Sequence, residues 1–212
     1  MLVNTDYDDL PDIIILDKNV PNNANAKHLY TVLMNENVKE SLEKNKFEIF
    51  EYIPELYQTI NYDQNNPHHH LDLWYHTINA VAYSEKNFEI RLALLLHDIS
   101  KPRCCVKDEK GISHYPGHNE KSAEMAREIL TRLDWNTDFI DEVCSIIGVH
   151  DKHMTEEFIE NNLDLAKKIL QVQVCDMIAH NPEMNLNRQL YIQDVTQMLT
   201  EIEKRKNSKN AT

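Results

Sequence analysis

Apolar residues recur at the helical spacing of three and four along most of this chain. Between Ala26 and Ile60 they fall at Leu29, Val32 and Leu33, then at Phe47, Phe50, Ile53, Leu56 and Ile60. The spacing predicts two helices, the second kinked or restarted at Pro54. After a polar loop from Asn61 to Pro67, a helix from about Asp72 places Leu73, His76, Ala80 and Tyr83 on one face. The central helix is predicted over Phe88–Ile99; up to Leu96 only Glu89 and Arg91 break its apolar run, and a helix without a polar face is buried. A loop, Lys101–Gly117, separates it from a helix capped by Asn119 and running to Leu133, with Ala123, Ala126, Leu130 and Leu133 inward. The next helix, from near Thr137, buries Phe139, Val143 and Ile146, and His150 continues that stripe. Another, from about Leu163 to His180, buries Leu165, Ile169 and Val172, with Asp176 on the same face; Pro182 stops it. A last amphipathic helix runs from Leu186 to about Lys204. The expected architecture is all-α: an irregular lead-in over 1–25, with Ile13–Leu16 as a short strand or extended segment, one helical domain over 26–205, and a disordered polar tail over 206–212.

Composition narrows the function. The chain has 212 residues, enough for one sizeable core. Only three glycines occur, Gly111, Gly117 and Gly148, so neither a Walker-type phosphate loop nor a Gly-x-Gly-x-x-Gly turn can be built. Gly117 and Gly148 closely precede His118 and His150, as turns that deliver side chains to one place would. The net charge of -13 argues against bulk nucleic-acid binding, which runs on cations meeting phosphate. The basic patch Lys101, Arg103 and Lys107 still suits a small anion. Cys104, Cys105, Cys144 and Cys175 form no Cys-x-x-Cys pair and suit reduced thiols. With no basic-then-apolar N-terminal segment and no bilayer-length apolar run, the expectation is a cytoplasmic protein that does not engage membranes. Oligomeric state is not legible.

The central helix ends in His97-Asp98, with Lys101 just beyond. Removing an unpaired carboxylate from water costs several kcal/mol or more unless a cation meets it. His76, His97, Asp98, His150 and Asp176 all fall on inward faces of different helices, and His118 sits where a loop enters one. One such histidine is ordinarily a satisfied core residue; two carboxylates and four imidazoles together are better explained by a shared ion. Imidazole nitrogen and carboxylate oxygen suit Zn, Mn, Fe, Ni or Co, with Mg where carboxylates and water dominate. Six ligands exceed one tetrahedral site, and an Asp bridging two ions about 3.5–4 Å apart would use them all.

The order His76, His97-Asp98, His118, His150, Asp176 resembles the HD superfamily of metal-dependent phosphohydrolases. More narrowly, Leu-Leu-His97-Asp-Ile-Ser-Lys-Pro, Tyr-Pro-Gly-His118-Asn-Glu-Lys-Ser-Ala and the approach Pro67-His-His69-His-Leu-Asp72-Leu-Trp-Tyr-His76-Thr resemble the HD domain of bacterial tRNA CCA-adding enzymes. The likeness covers about Pro54 to Asn181. Nothing resembles the Gly-Ser and paired-Asp region of a nucleotidyltransferase head, so nucleotide addition is not expected, and Ser100 stands where the family more often has Gly. The resemblance implies an HD-type helical bundle holding one or two divalent metals. His76, His97, Asp98 and Asp176 would hold the first and His118 and His150 a second, with Asp98 able to bridge. Asp98 and Lys101 would be the catalytic residues, Lys101 neutralising a phosphate oxygen and His69 and Arg103 serving as weaker phosphate contacts. Asp72 either orients His76 or caps its helix in solvent, and His153 is close enough to His150 to substitute for it. The expected reaction is attack of a metal-bound hydroxide on a phosphomonoester or phosphodiester, on a small phosphorylated substrate such as a nucleotide or an RNA end. A non-catalytic nucleotide sensor, an HD-fold di-iron oxygenase and an RNA-binding partner of a separate nucleotidyltransferase also fit the ligand set.

Overall fold

Short polar side chains set most of the helix starts. In the computed structural model, which describes residues 20–210, Asn23, Asp72, Asn87, Asn136 and Thr155 each accept a backbone N–H from the first turn of the helix that follows. These caps open α1 (Ala24–Leu33), α3 (Leu73–Tyr83), α4 (Phe88–Leu96), α7 (Thr137–Ile147) and α8 (Glu156–Asn161). The others are α2 (Val38–Tyr52), α5 (Lys101–Cys104), α6 (His118–Arg132), α9 (Leu163–Ala179) and α10 (Leu186–Asn210). Pro54 restarts the chain as a 3-10 turn over Pro54–Thr59. The fold is all-α; its one sheet among the described residues is a two-residue antiparallel pair, β1 (Val106–Lys107) with β2 (Ser113–His114).

α4 is the axis, packing against α1, α3, α6, α7 and α9. Leu92, Ala93, Leu94, Leu95 and Leu96 are all buried, each leucine worth roughly 1.5–3 kcal/mol of transfer free energy. Its two polar residues are partnered at one end each, with Arg91 Nε and Glu89 Oε1 left buried without a hydrogen bond. Arg91 donates from Nη1 to the carbonyls of Leu33 and Asn35 at 2.6 and 3.0 Å, and Glu89 pairs with Lys168 at 2.7 Å. The apolar core is continuous from Ala26 to Ile202.

Several expectations need correction. α4 stops at Leu96, and residues 97–100 form a tighter turn. Asn119 does not cap α6: Gly117 holds that position at φ +70°, and the Asn119 side chain donates instead to the Gly148 carbonyl at 2.9 Å. The loop 101–117 contains α5 and the β1–β2 hairpin, and α8 lies where no helix was expected. Tyr83, placed inward with His76, is 54% exposed at the last residue of α3, although Ala80 and Val81 in the same turn are buried. The tail expected to be disordered over 206–212 is helical as far as Asn210, with Arg205 at 2.7 Å from Glu156 and Lys206 donating to the Glu160 carbonyl at 2.7 Å. The segment Ile13–Leu16 and most of the lead-in lie outside the described residues.

Candidate metal centre

The centre is built where helices end. Pro102 lacks an N–H, and its ring would meet the Asp98 carbonyl in a continuing helix. The backbone tightens instead, with Lys101 N–H donating to Asp98 O at 3.0 Å and Arg103 N–H to Ser100 O at 2.8 Å. Neighbours on a regular helix diverge by about 100°; here His97 Nε2 and Asp98 Oδ2 lie 3.2 Å apart. Ser100 takes φ −89°, where a side chain is no burden, and its Oγ donates to the His118 carbonyl at 2.7 Å. A serine at this position therefore ties the α4 turn to the turn that carries His118.

Three of the histidines use one device. His97, His118 and His150 each donate from Nδ1 to the carbonyl three residues earlier, Leu94 at 2.7 Å, Tyr115 at 2.8 Å and Ile147 at 2.7 Å. His76 is held across the fold, from Nδ1 to Ala179 O at 3.3 Å. A carbonyl can only accept, so the proton sits on Nδ1 and Nε2 is the inward atom of all four rings.

Those Nε2 atoms converge on two carboxylates. His76 Nε2 is 3.0 Å from Asp176 Oδ1 and 3.5 Å from Asp98 Oδ2, and His97 Nε2 is 3.4 Å from Asp176 Oδ1. Asp98 Oδ1 turns the other way, 3.3 Å from His118 Nε2 and 3.6 Å from His150 Nε2. Three candidate ligand groups result among the described residues: two share Asp98, namely His76, His97, Asp98 and Asp176, and Asp98, His118 and His150, while a third, all imidazole, joins His69, His76 and His180. His76 Nε2, His97 Nε2, Asp176 Oδ1 and Asp98 Oδ1 are buried without a hydrogen-bond partner, and Asp98 Oδ2 meets the Lys101 ammonium at 2.7 Å. Each orphan would cost about 1–3 kcal/mol or more. The donor set is that of a borderline divalent ion, and the residues present fit one.

Electrostatics agree. Burial opposes ionisation of Asp98 and Asp176, but His97 and Lys101 around the first, and His180 and Arg188 around the second, hold both carboxyls well below the usual carboxylate range. Burial likewise disfavours the His97 imidazolium, yet the carboxylates raise it to about 10, whereas burial pushes His150 down. Positive charge is required between the carboxylates, as a proton or as a metal.

Lys101 is buried, with Nζ 2.7 Å from Asp98 Oδ2, 3.0 Å from Gln64 Oε1 and 3.5 Å from His69 Nε2. His69 packs on His76 and His180, with ring centroids 5.1 and 4.5 Å away. Both Lys101 and His69 line a cleft of about 620 Å³ that opens onto the centre. Arg103 does not reach it: the residue is exposed and its Nε donates to Gln58 Oε1 at 3.4 Å, because α5 turns it to the outside. Asp72 caps α3, its side chain accepting from Tyr75 N–H, and it meets His76 only through the backbone, its carbonyl accepting the His76 N–H at 2.9 Å. His153 stands at the cleft edge, stacked on Tyr191 at 4.1 Å and outside all three ligand groups. Sequence reasoning missed Gln64, His180 and Arg188. Arg188 had a signal: it falls on the inward stripe of Tyr191, Val195, Leu199 and Ile202.

The HD domain family model matches residues 73–199, more than half of the chain and a stretch that contains all six ligand candidates. A CC-adding tRNA nucleotidyltransferase of Thermus thermophilus is 31% identical over 140 residues, 60% of this chain and 32% of that protein. An A-adding tRNA nucleotidyltransferase of Deinococcus radiodurans is 26% identical over 149 residues, 64% of this chain and 34% of that protein. The chain thus spans about a third of the length of these curated relatives.

Proposed function

This chain belongs to the HD domain family, in general a family of metal-dependent phosphohydrolases, and from that premise we propose that it hydrolyses a phosphomonoester or phosphodiester, the substrate being a nucleotide or an RNA-end phosphate. The observation that carries the reading is the divided Asp98 carboxylate, with Oδ2 facing His76 and His97 and Oδ1 facing His118 and His150. His76, His97, Asp98 and Asp176 would hold one divalent ion, and Asp98, His118 and His150 a second. Such ions acidify a bound water and neutralise phosphate oxygens as charge accumulates.

The remaining work falls to the chain itself. Lys101 Nζ, fixed by Asp98 and Gln64, places an ammonium at the cleft floor for a non-bridging oxygen. His69, with Nε2 beside that ammonium, is held neutral by burial and by Lys101, and bounds the phosphate position. The carbonyl-anchored Nδ1 protons keep four rings in a single tautomer, so the ligand set needs little reorganisation. A volume of about 620 Å³ accommodates a nucleotide. The names of the relatives, which act on tRNA, favour an RNA end among such substrates.

The test is turnover of p-nitrophenyl phosphate and of 2′,3′-cyclic nucleotides with manganese or nickel, comparing the unsubstituted chain with Asp98→Ala. The expected result is activity that falls by at least about 100-fold in the variant, whose fold is checked by circular dichroism. Equal activity in the two proteins would refute the reading.

A further inference from the structure

We propose that Arg188 is a positioning residue of this centre, gripping Asp176 so that a single carboxylate oxygen is presented to His76 and His97; this rests on the reading of the cluster as a metal site. Arg188 Nη2 lies 2.7 Å from Asp176 Oδ2, while Oδ1 faces His76 Nε2 at 3.0 Å and His97 Nε2 at 3.4 Å. The two oxygens therefore do different work. Oδ2 is spent on the guanidinium, and Oδ1 is buried with no hydrogen-bond donor. Arg188 Nη1 is also 3.0 Å from Nδ1 of His180, whose ring packs 5.0 Å from that of His76. One planar fork thus fixes a ligand and the ring behind another ligand.

The backbone places it there. α9 ends at Ala179, a 3-10 turn spans Pro182–Met184, and α10 begins at Leu186. Asn185 Nδ2 reaches back to Met177 O at 2.7 Å and is buried, so the start of α10 is pinned across the end of α9. Residue 188 then stands opposite residue 176. Without the arginine, Oδ2 would be a second buried orphan, and the carboxylate would be free to turn toward His180, now 3.9 Å from Oδ1. A ligand that must be re-aimed on each loading event binds metal less tightly.

The test is calorimetric titration of the full chain, stripped with chelator, with manganous ion alone. Arg188→Ala should weaken the tightest manganese site by about 10- to 100-fold, and its stripped form should melt lower, because Asp176 Oδ2 loses its buried partner. Arg188→Lys, which keeps the charge but loses the fork, should fall between the two, and Arg188→Gln below it. Equal affinity across the series would overturn the assignment. So would an equal loss of affinity in Leu199→Ala, a core substitution in α10 away from the cluster that also lowers the stripped protein's melting temperature, because that marks a merely structural effect. If the alanine variant does not fold, the Lys and Gln proteins decide the matter by the same order. Absence of manganese binding by the unsubstituted chain would overturn the metal reading and this inference with it.

Discussion

Asp98 offers one oxygen to each of two imidazole pairs, and that division depends on a turn only a few residues long. Gly117 does the same for His118 from the other side: at φ +70° it enters α6 with nothing but Glu120 Oε2, at 4.0 Å, near a would-be Cβ. Space is no obstacle there, so the cost of Gly117→Ala is conformational, about 1–2 kcal/mol for a left-handed L-residue. Urea midpoints should show that loss; an unchanged midpoint would mean the turn relaxes without strain. Gly148 is different: it caps the end of α7 at an ordinary φ of −64°, where an added Cβ would sit 3.3 Å from the Cys144 carbonyl. The glycine-before-histidine pattern thus has a backbone cause at one position and a packing cause at the other. Of the nine site positions named from sequence, six meet as ligand candidates, because buried charge on an apolar stripe is conspicuous, and Lys101 and His69 join them beside Asp98 and His76. Arg103 carries the same charge as Lys101 two residues away, and only the three-dimensional course of α5 separates inward from outward.

Elements with long apolar stripes, α4, α7 and α9, were legible, since periodicity reports burial. What was not legible is short or polar. α8 has one fully buried residue, Ile159, and the β1–β2 pair spans two residues per strand. The end of α10 is held by exposed contacts such as Arg205 with Glu156, which leave no hydrophobic trace. At the end of α2, Tyr52 is buried and hydrogen-bonded to His28 Nδ1 at 2.9 Å, and burial, with Glu48 next, pushes its phenol up. A phenol raised in the folded state contributes stability that is whole below the unfolded value, about 10, and is lost as pH climbs above it. The stability gap between the unsubstituted protein and Tyr52→Phe, about 1 kcal/mol at neutral pH, should therefore narrow above pH 10 in urea titrations. A gap that stays constant with pH would contradict this.

At the scale of the molecule, a chain of net charge -13 gathers its site cations, Lys101 and Arg188, along one cleft with its histidines. The acidic exterior disfavours coating a polyanion, while the cleft offers local positive charge to a small one. Among the described residues no helix is long and apolar enough to cross a membrane. The core reaches from α1 to α10, so the ligands come from across one packed body: α3, the turn after α4, the start of α6, the turn after α7, and α9. The measurement that bears most directly on this convergence is elemental analysis of the purified chain after incubation with manganese and removal of free ion. At least one ion per chain should be retained by the unsubstituted protein, and that ion should be lost from folded Asp98→Ala and His97→Ala. Retention of the same metal content by both variants would contradict the account.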